Sequence, residues 1–401
     1  MRKKFLASVI LLSLIGVQTT CIATESVKKL TRKQRKEISL LELAKTNFDA
    51  KQYDLAIEYY TKAIIINPEN AETYSKRGTT EFLLGNYNNA INDYSKSIEL
   101  DPNRENTYYN RGLAKVQLKE YKSVVDDYTK EIEINPLNTN AFLNRGTTHV
   151  LLKQYDEAIV DFTKAIELDG QNILGYYNRG IAYRNLGQYE NAINDYTKVL
   201  ELDPNNIETF NNRGVAKFYF KDYQGAIEDY TKVIEYDKDF NQAFFNRGIA
   251  YLGLKNYENA ILDFTNEIEI NPKNDSAYYQ RAIAFAQLDK TNDALDDLTQ
   301  AIKLNPNNAQ YYAQRGALIS KIEGDLEKAK EDLNKAIEID ANDPEKYLTR
   351  AIIFCKQKEY LIAIDDLNII LQIDPNNSQA QELRTYAIKS LDTPEKTSPQ
   401  Q

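Results

Sequence analysis

The chain carries one histidine, His149, and two cysteines, Cys21 and Cys355. A single imidazole rules out sites built from several histidines and leaves His149 as the one histidine a triad could use. No Gly-rich phosphate loop occurs. Strings such as Asp203-Pro204-Asn205 share the acidic spacing of a calcium loop but lack its glycine and distal glutamate, so they read as turns. Asn274-Asp275-Ser276 and Asn376-Asn377-Ser378 match a glycosylation acceptor, which chance supplies in an Asn-rich chain. Carboxylates abound without a unique acid–base pair. His149 falls at a helix-packing register, and Cys355 reads as a small buried apolar group. No catalytic residue, metal or cofactor is expected, and the chain reads as a non-enzyme.

The pattern that does recur is one of opposite charges. Arginines follow at 34-residue intervals: Arg77, Arg111, Arg145, Arg179, Arg213, Arg247, Arg281 and Arg315, with Arg350 one residue late. Asp93, Asp127, Asp161, Asp195, Asp229, Asp263, Asp297, Asp332 and Asp366 accompany them. The first copy lacks both and has Leu43 and Tyr59 instead. Residues that come and go together predict an ion pair between the two helices of one repeat. Pairing each Asp with the next repeat's Arg would strand Arg77 and Asp366. The competing reading is two separate solvated charges.

These residues sit in a tandem array. Tyr-Tyr-Asn-Arg-Gly at Tyr108–Gly112 returns at Tyr176–Gly180, with near-copies at Phe142–Gly146, Phe210–Gly214 and Phe244–Gly248. Ten copies run end to end over 37–377, and only the ninth is irregular, with an extra residue near Glu323–Gly324. Such a period marks repetition of one supersecondary unit. Each copy reads as two helices. The second, as in Tyr189–Glu201, has apolar places at three- and four-residue spacing, which marks one buried stripe. Seven of the ten prolines (Pro68, Pro102, Pro136, Pro204, Pro272, Pro306 and Pro375) follow the second helix, where proline stops it. Glycine recurs at place eight and alanine at place twenty, where two helices must approach.

The unit resembles the tetratricopeptide repeat: aromatic at place four, Gly at eight, Ala at twenty, aromatic at twenty-four, small at twenty-seven and Pro at thirty-two. It departs in lacking any Trp, in its varied place eleven (Glu81, Lys115, His149, Lys217, Ile319), and in Arg instead of Leu at place seven. The resemblance implies an all-α, right-handed superhelical solenoid of antiparallel helix pairs, and a partner groove lined by the first helices. Carried over place by place, it selects Tyr109, Leu113, Leu143, Tyr177, Ile181, Phe245, Ile249, Tyr279 and Ile283. These would hold a protein or peptide, or else pack neighbouring repeats together. Place five is expected to discriminate, because the repeat core does not demand large rings there. The Lys and Asn pattern that clamps a terminal carboxylate is not evident.

The ends read differently. Arg2-Lys3-Lys4, the apolar run Phe5–Val17 and Cys21-Ile22-Ala23 form a secretory signal, residues 1–23. The apolar run is short for a membrane span. A basic leader, 24–36, follows; its charge opposes translocation and keeps open an uncleaved anchor with the array facing the cytoplasm. Lipidation at Cys21 is a further alternative. Cleavage would leave Cys355 as the remaining cysteine, so no intramolecular disulfide is expected. Residues 378–391 read as a capping helix and 392–401 as a disordered tail. The formal net charge of −9 argues against nucleic acid. The expectation is an exported, periplasmic or secreted, interaction scaffold. The alternatives are a membrane-tethered cell-envelope assembly factor and an anchored scaffold facing the cytoplasm.

Overall fold

The computed structural model describes residues 30–240, 242–322 and 325–392. The expected signal segment, the extra residue at 323–324 and residues 393–401 lie outside them. Every regular element among the described residues is a helix. The first compact unit reaches Asn212 and the second begins at Arg213.

In the first unit, helices alternate as α1 (Arg32–Asp49), α2 (Tyr53–Ile66), α3 (Ala71–Leu83), α4 (Tyr87–Leu100), α5 (Thr107–Gln117), α6 (Tyr121–Ile134), α7 (Thr139–Leu151), α8 (Tyr155–Leu168), α9 (Ile173–Asn185) and α10 (Tyr189–Leu202). Helix α11 (Ile207–Tyr219) spans the division. The second unit continues with α12 (Tyr223–Tyr236), α13 (Ala243–Gly253), α14 (Tyr257–Ile270), α15 (Asp275–Gln287), α16 (Thr291–Leu304), α17 (Ala309–Ile319), α18 (Leu326–Ile339), α19 (Pro344–Lys356), α20 (Tyr360–Ile373) and α21 (Ser378–Asp392).

The sequence dictates these boundaries locally. Asn70, Asn138, Asn172 and Asn274 each accept a hydrogen bond from the backbone N–H three residues on, capping α3, α7, α9 and α15. Asp343 caps α19, whose first residue is Pro344. The hairpin turn between the two helices of a repeat needs one left-handed residue. Gly85 and Gly187 supply it freely, whereas Lys51, Lys119, Lys153, Lys221, Lys255, Asp289 and Lys358 hold φ between 58° and 68°. Each non-glycine there costs roughly 1–2 kcal/mol.

Inside a repeat, the place-eight glycine meets the place-twenty-four ring. A Cβ on Gly180 would lie 2.7 Å from Cε1 of Tyr196, and one on Gly112 would lie 2.7 Å from Cε1 of Tyr128. The rings of Tyr128, Tyr196, Phe162 and Phe264 are fully buried. Burying each side chain this size contributes roughly 2–3 kcal/mol, so the glycine admits the largest group in the repeat core.

Two expectations require correction. The expected leader, 24–36, overlaps the first helix, because α1 already begins at Arg32. Thr31 and Gln34 form a reciprocal capping box there: Gln34 N–H donates to the Thr31 hydroxyl at 3.2 Å, and Thr31 N–H to Gln34 Oε1 at 2.9 Å. Place twenty-seven is not always small. Glu131 and Glu267 occupy it, buried. In both repeats the first helix starts two residues late, after a left-handed Asn106 or Gln242. The Glu131 carboxylate takes the place of the missing turn, accepting from Asn106 N–H at 2.9 Å and Tyr109 N–H at 3.4 Å. It also accepts from the side chain of Asn138, the cap of the next repeat. Burial pushes the Glu131 carboxyl up, and these donors only partly offset it.

Candidate partner face and its arginine clamps

All nine recurrent arginines pair with the aspartate of their own repeat, as the intra-repeat reading expects. In each, Nε and Nη2 both point at the carboxylate. Typical distances are 2.9 and 2.7 Å for Arg179–Asp195 and 2.8 Å for both contacts of Arg281–Asp297. The carboxylates are between 2% and 6% exposed, so the solvated-charge reading fails. The guanidinium also lies over the place-four ring, for example Arg179 over Tyr176 at 5.7 Å and Arg247 over Phe244 at 5.7 Å. In three repeats a place-eleven ring adds a second contact: Tyr183 on Arg179, Phe285 on Arg281 and Phe354 on Arg350. Where it is lysine, Lys115 or Lys217 adds a second cation to Asp127 or Asp229.

Sequence reasoning missed the third prong. Nη1 of the arginine reaches the preceding repeat: Arg77 to Thr61, Arg111 to Ser95, Arg145 to Thr129, Arg179 to Thr163, Arg247 to Thr231, Arg281 to Thr265 and Arg315 to Thr299. Arg350 uses Asn334 in the same way. The hydroxyls of Thr129, Thr231, Thr265 and Thr299 meanwhile donate to carbonyls one turn back, so both their capacities are used. The signal was present as a hydroxyl residue recurring at place twenty-five.

Burial raises the carboxyls of Asp93, Asp195 and Asp263, and the paired guanidinium lowers them by less. Arg77 and Arg179 move up, chiefly through the hydrogen bond to their aspartate. The asymmetry follows from access to water. The arginine side chains keep 16–21% exposure, while the carboxylates have almost none, so the desolvation cost falls on the acid.

The residues selected for the groove divide into two groups. Tyr109, Leu113 and Leu143 are buried, at 3–5% exposure, and belong to the cores of their repeats. Their side chains are packing groups, which corrects their assignment as accessible contacts. In the first unit Tyr177 and Ile181 are half-buried, as are Phe245, Ile249, Tyr279 and Ile283 in the second. The place-five rings also lie against buried rings: Tyr109 on Tyr128 at 5.7 Å, Tyr177 on Tyr196 at 6.1 Å and Phe245 on Phe264 at 5.7 Å. Large rings at place five therefore serve the core after all, and the half-buried ones keep an exposed edge.

A further series lies beside them. Place six is Asn110, Asn144, Asn178 and Asn212 in the first unit, and Asn246, Gln280 and Gln314 in the second. Asn144 donates to the Tyr109 hydroxyl at 2.9 Å, and Asn212 to that of Tyr177 at 2.8 Å. Arg184 in turn donates to Asn212 Oδ1. Asn110 and Asn178 are half-buried, no side-chain bond joins either to another described residue, and neither amide is fully sealed from solvent. The asparagine of the Tyr-Tyr-Asn-Arg-Gly string was the available signal.

Profiles of the tetratricopeptide repeat match residues 39–70, 139–172, 173–206, 211–275, 276–308 and 309–343, and a further TPR repeat profile matches 78–119. The chain belongs to the tetratricopeptide-repeat family. Among solved structures it is similar to the C-terminal part of a TPR repeat-containing protein from Cytophaga hutchinsonii. That likeness has 18% identity and TM-score 0.51, covering 60% of this chain and 98% of that one. YrrB, described as a TPR protein with an unusual peptide-binding site, is 28% identical at TM-score 0.44, covering 46% of this chain and 96% of its own. MamA is 26% identical at TM-score 0.41, covering 42% and 93%. No curated protein matches. Tetratricopeptide arrays are protein-interaction scaffolds, and this chain has that architecture.

Proposed function

We propose that this tetratricopeptide array is a non-enzymatic scaffold that holds an extended protein segment along the first-helix face. The observation that carries the reading is the pairing, in the first unit, of half-buried apolar groups (Tyr177, Ile181) with the half-buried amides of Asn110 and Asn178. An extended segment exposes alternate side chains and a row of main-chain donors and acceptors. Apolar edges can take the former and amides the latter. Ile249 and Ile283 offer comparable apolar edges in the second unit.

The test is a selection of peptides from a displayed library against the full chain, followed by affinity measurement on Ile181→Arg and Ile283→Arg. Each selected peptide should bind at least one of the two variants more weakly, by about tenfold or more, with the helical signal intact, as for loss of an anchor contact. A library that yields no binder, or binders indifferent to both substitutions, sinks the reading.

We further propose export, on the basic, apolar and small-residue pattern of residues 2–23, which lies outside the described residues. Sequencing the N-terminus of the chain purified from its native cell should begin at Thr24. An intact Met1 in a cytoplasmic fraction would refute export, and an uncleaved chain in the membrane fraction would favour the anchored alternative.

A further inference from the structure

We infer that the basic start of α1 contacts anionic phospholipid and holds the first repeat against a membrane surface. Arg32, Lys33, Arg35 and Lys36 are all exposed within one and a half turns, and the first turn contains no acidic residue. Among the described residues, the one side-chain bond they make runs from Arg35 Nε to the Leu30 carbonyl. The nearby carboxylate of Glu37 is buried and already held by the side-chain amides of Asn67 and Asn70.

This placement opposes folding energetics. Cations in a first turn face the positive end of the helix dipole and are unfavourable there. Five lysines on the second helices, by contrast, are each paired with the carboxylate three residues on: Lys96–Glu99, Lys130–Glu133, Lys164–Glu167, Lys198–Glu201 and Lys232–Glu235. Four cations in five residues, none in an ion pair among the described residues, on a chain of net charge −9, form a patch that invites an anion.

Apolar groups adjoin the patch. Ile38 and Leu43 on the same helix are 41% and 42% exposed. Leu43 stands at place seven, where every later repeat has the arginine clamp. Cations beside exposed aliphatic groups fit a headgroup layer with acyl chains beneath it.

The experiment is flotation of the full chain with vesicles of neutral phosphatidylcholine, and with vesicles in which about 30% is replaced by phosphatidylglycerol. Each cation near such a surface strengthens binding roughly fivefold. Wild type should thus prefer the anionic vesicles by at least about tenfold at low salt, and lose the preference at roughly 0.5 M salt, where the Debye length falls below about 5 Å. Arg32→Glu, Lys33→Glu, Arg35→Glu and Lys36→Glu together should abolish the preference while leaving the helical signal unchanged. Equal partition of wild type into both vesicle types overturns the inference and needs no variant. A charge-reversed chain that keeps the preference overturns it too, as would binding of a single-stranded oligonucleotide as tight as that of the anionic vesicles. The outcome is independent of peptide binding at the first-helix face.

Discussion

Asp195→Ala should destabilise the array by about 3 kcal/mol, the lower end of the range for removing one partner of a buried pair. The guanidinium of Arg179 would lose both carboxylate bonds while staying wedged between Tyr176 and Tyr183, with 17% of its side chain exposed. That residual exposure is why the lower end applies. Arg179→Ala should cost at least as much, because it strands a carboxylate 5% exposed and the Thr163 hydroxyl together. Arg179→Lys should recover little, since an ammonium cannot reproduce the two-pronged carboxylate contact and the third bond at once. The double variant should lose clearly less than the sum of the singles. Urea titration followed by circular dichroism checks all four, and strictly additive losses would show that the residues act separately.

Gly180→Ala should also destabilise, against its helix propensity. Alanine gains roughly 1 kcal/mol over glycine in a helix. The new methyl, however, would sit 2.7 Å from Cε1 and 3.0 Å from Cδ1 of Tyr196, a buried ring with no room to retreat. Overpacking of this kind costs about 1–3 kcal/mol, so a net loss of about 1 kcal/mol is expected for alanine and several for valine. Leucine at place twenty-four stands opposite alanine in two repeats, Leu298 with Ala282 and Leu367 with Ala351, while Leu333 faces Gly316 and the first repeat packs Ala44 with Tyr60. Gly180→Ala combined with Tyr196→Leu should therefore lose less than the two singles summed. A rise in urea midpoint for Gly180→Ala alone would show that the contact is slack.

The helix pairs and the intra-repeat ion pair were legible because both follow from periodicity, and periodicity survives in one dimension. Proline after the second helix and asparagine before the first mark the boundaries of most repeats. The third prong to Thr163 and its equivalents was not read, because a threonine on a helix looks like a solvated residue until a neighbouring repeat is placed beside it. The face of the first helices was read only halfway. Apolar type at Tyr109 and Tyr177 is visible in the sequence. That Tyr109 is buried while Tyr177 keeps an edge depends on how each ring lies against its place-twenty-four partner. Glu131 was hidden for a related reason. A charged residue at a small place looks like an exception to the pattern until its carboxylate is seen replacing the opening turn of α5.

The clamp that joins one repeat to the preceding one has a consequence for how such a chain can change over generations. Its donor is always place seven and its acceptor always place twenty-five of the neighbour, as at Arg145–Thr129 and Arg281–Thr265. Deleting or duplicating a whole unit by recombination regenerates the same junction at the scar. Length can thus drift in whole steps while each joint stays satisfied, so the number of repeats becomes a trait that selection can adjust without redesigning any contact.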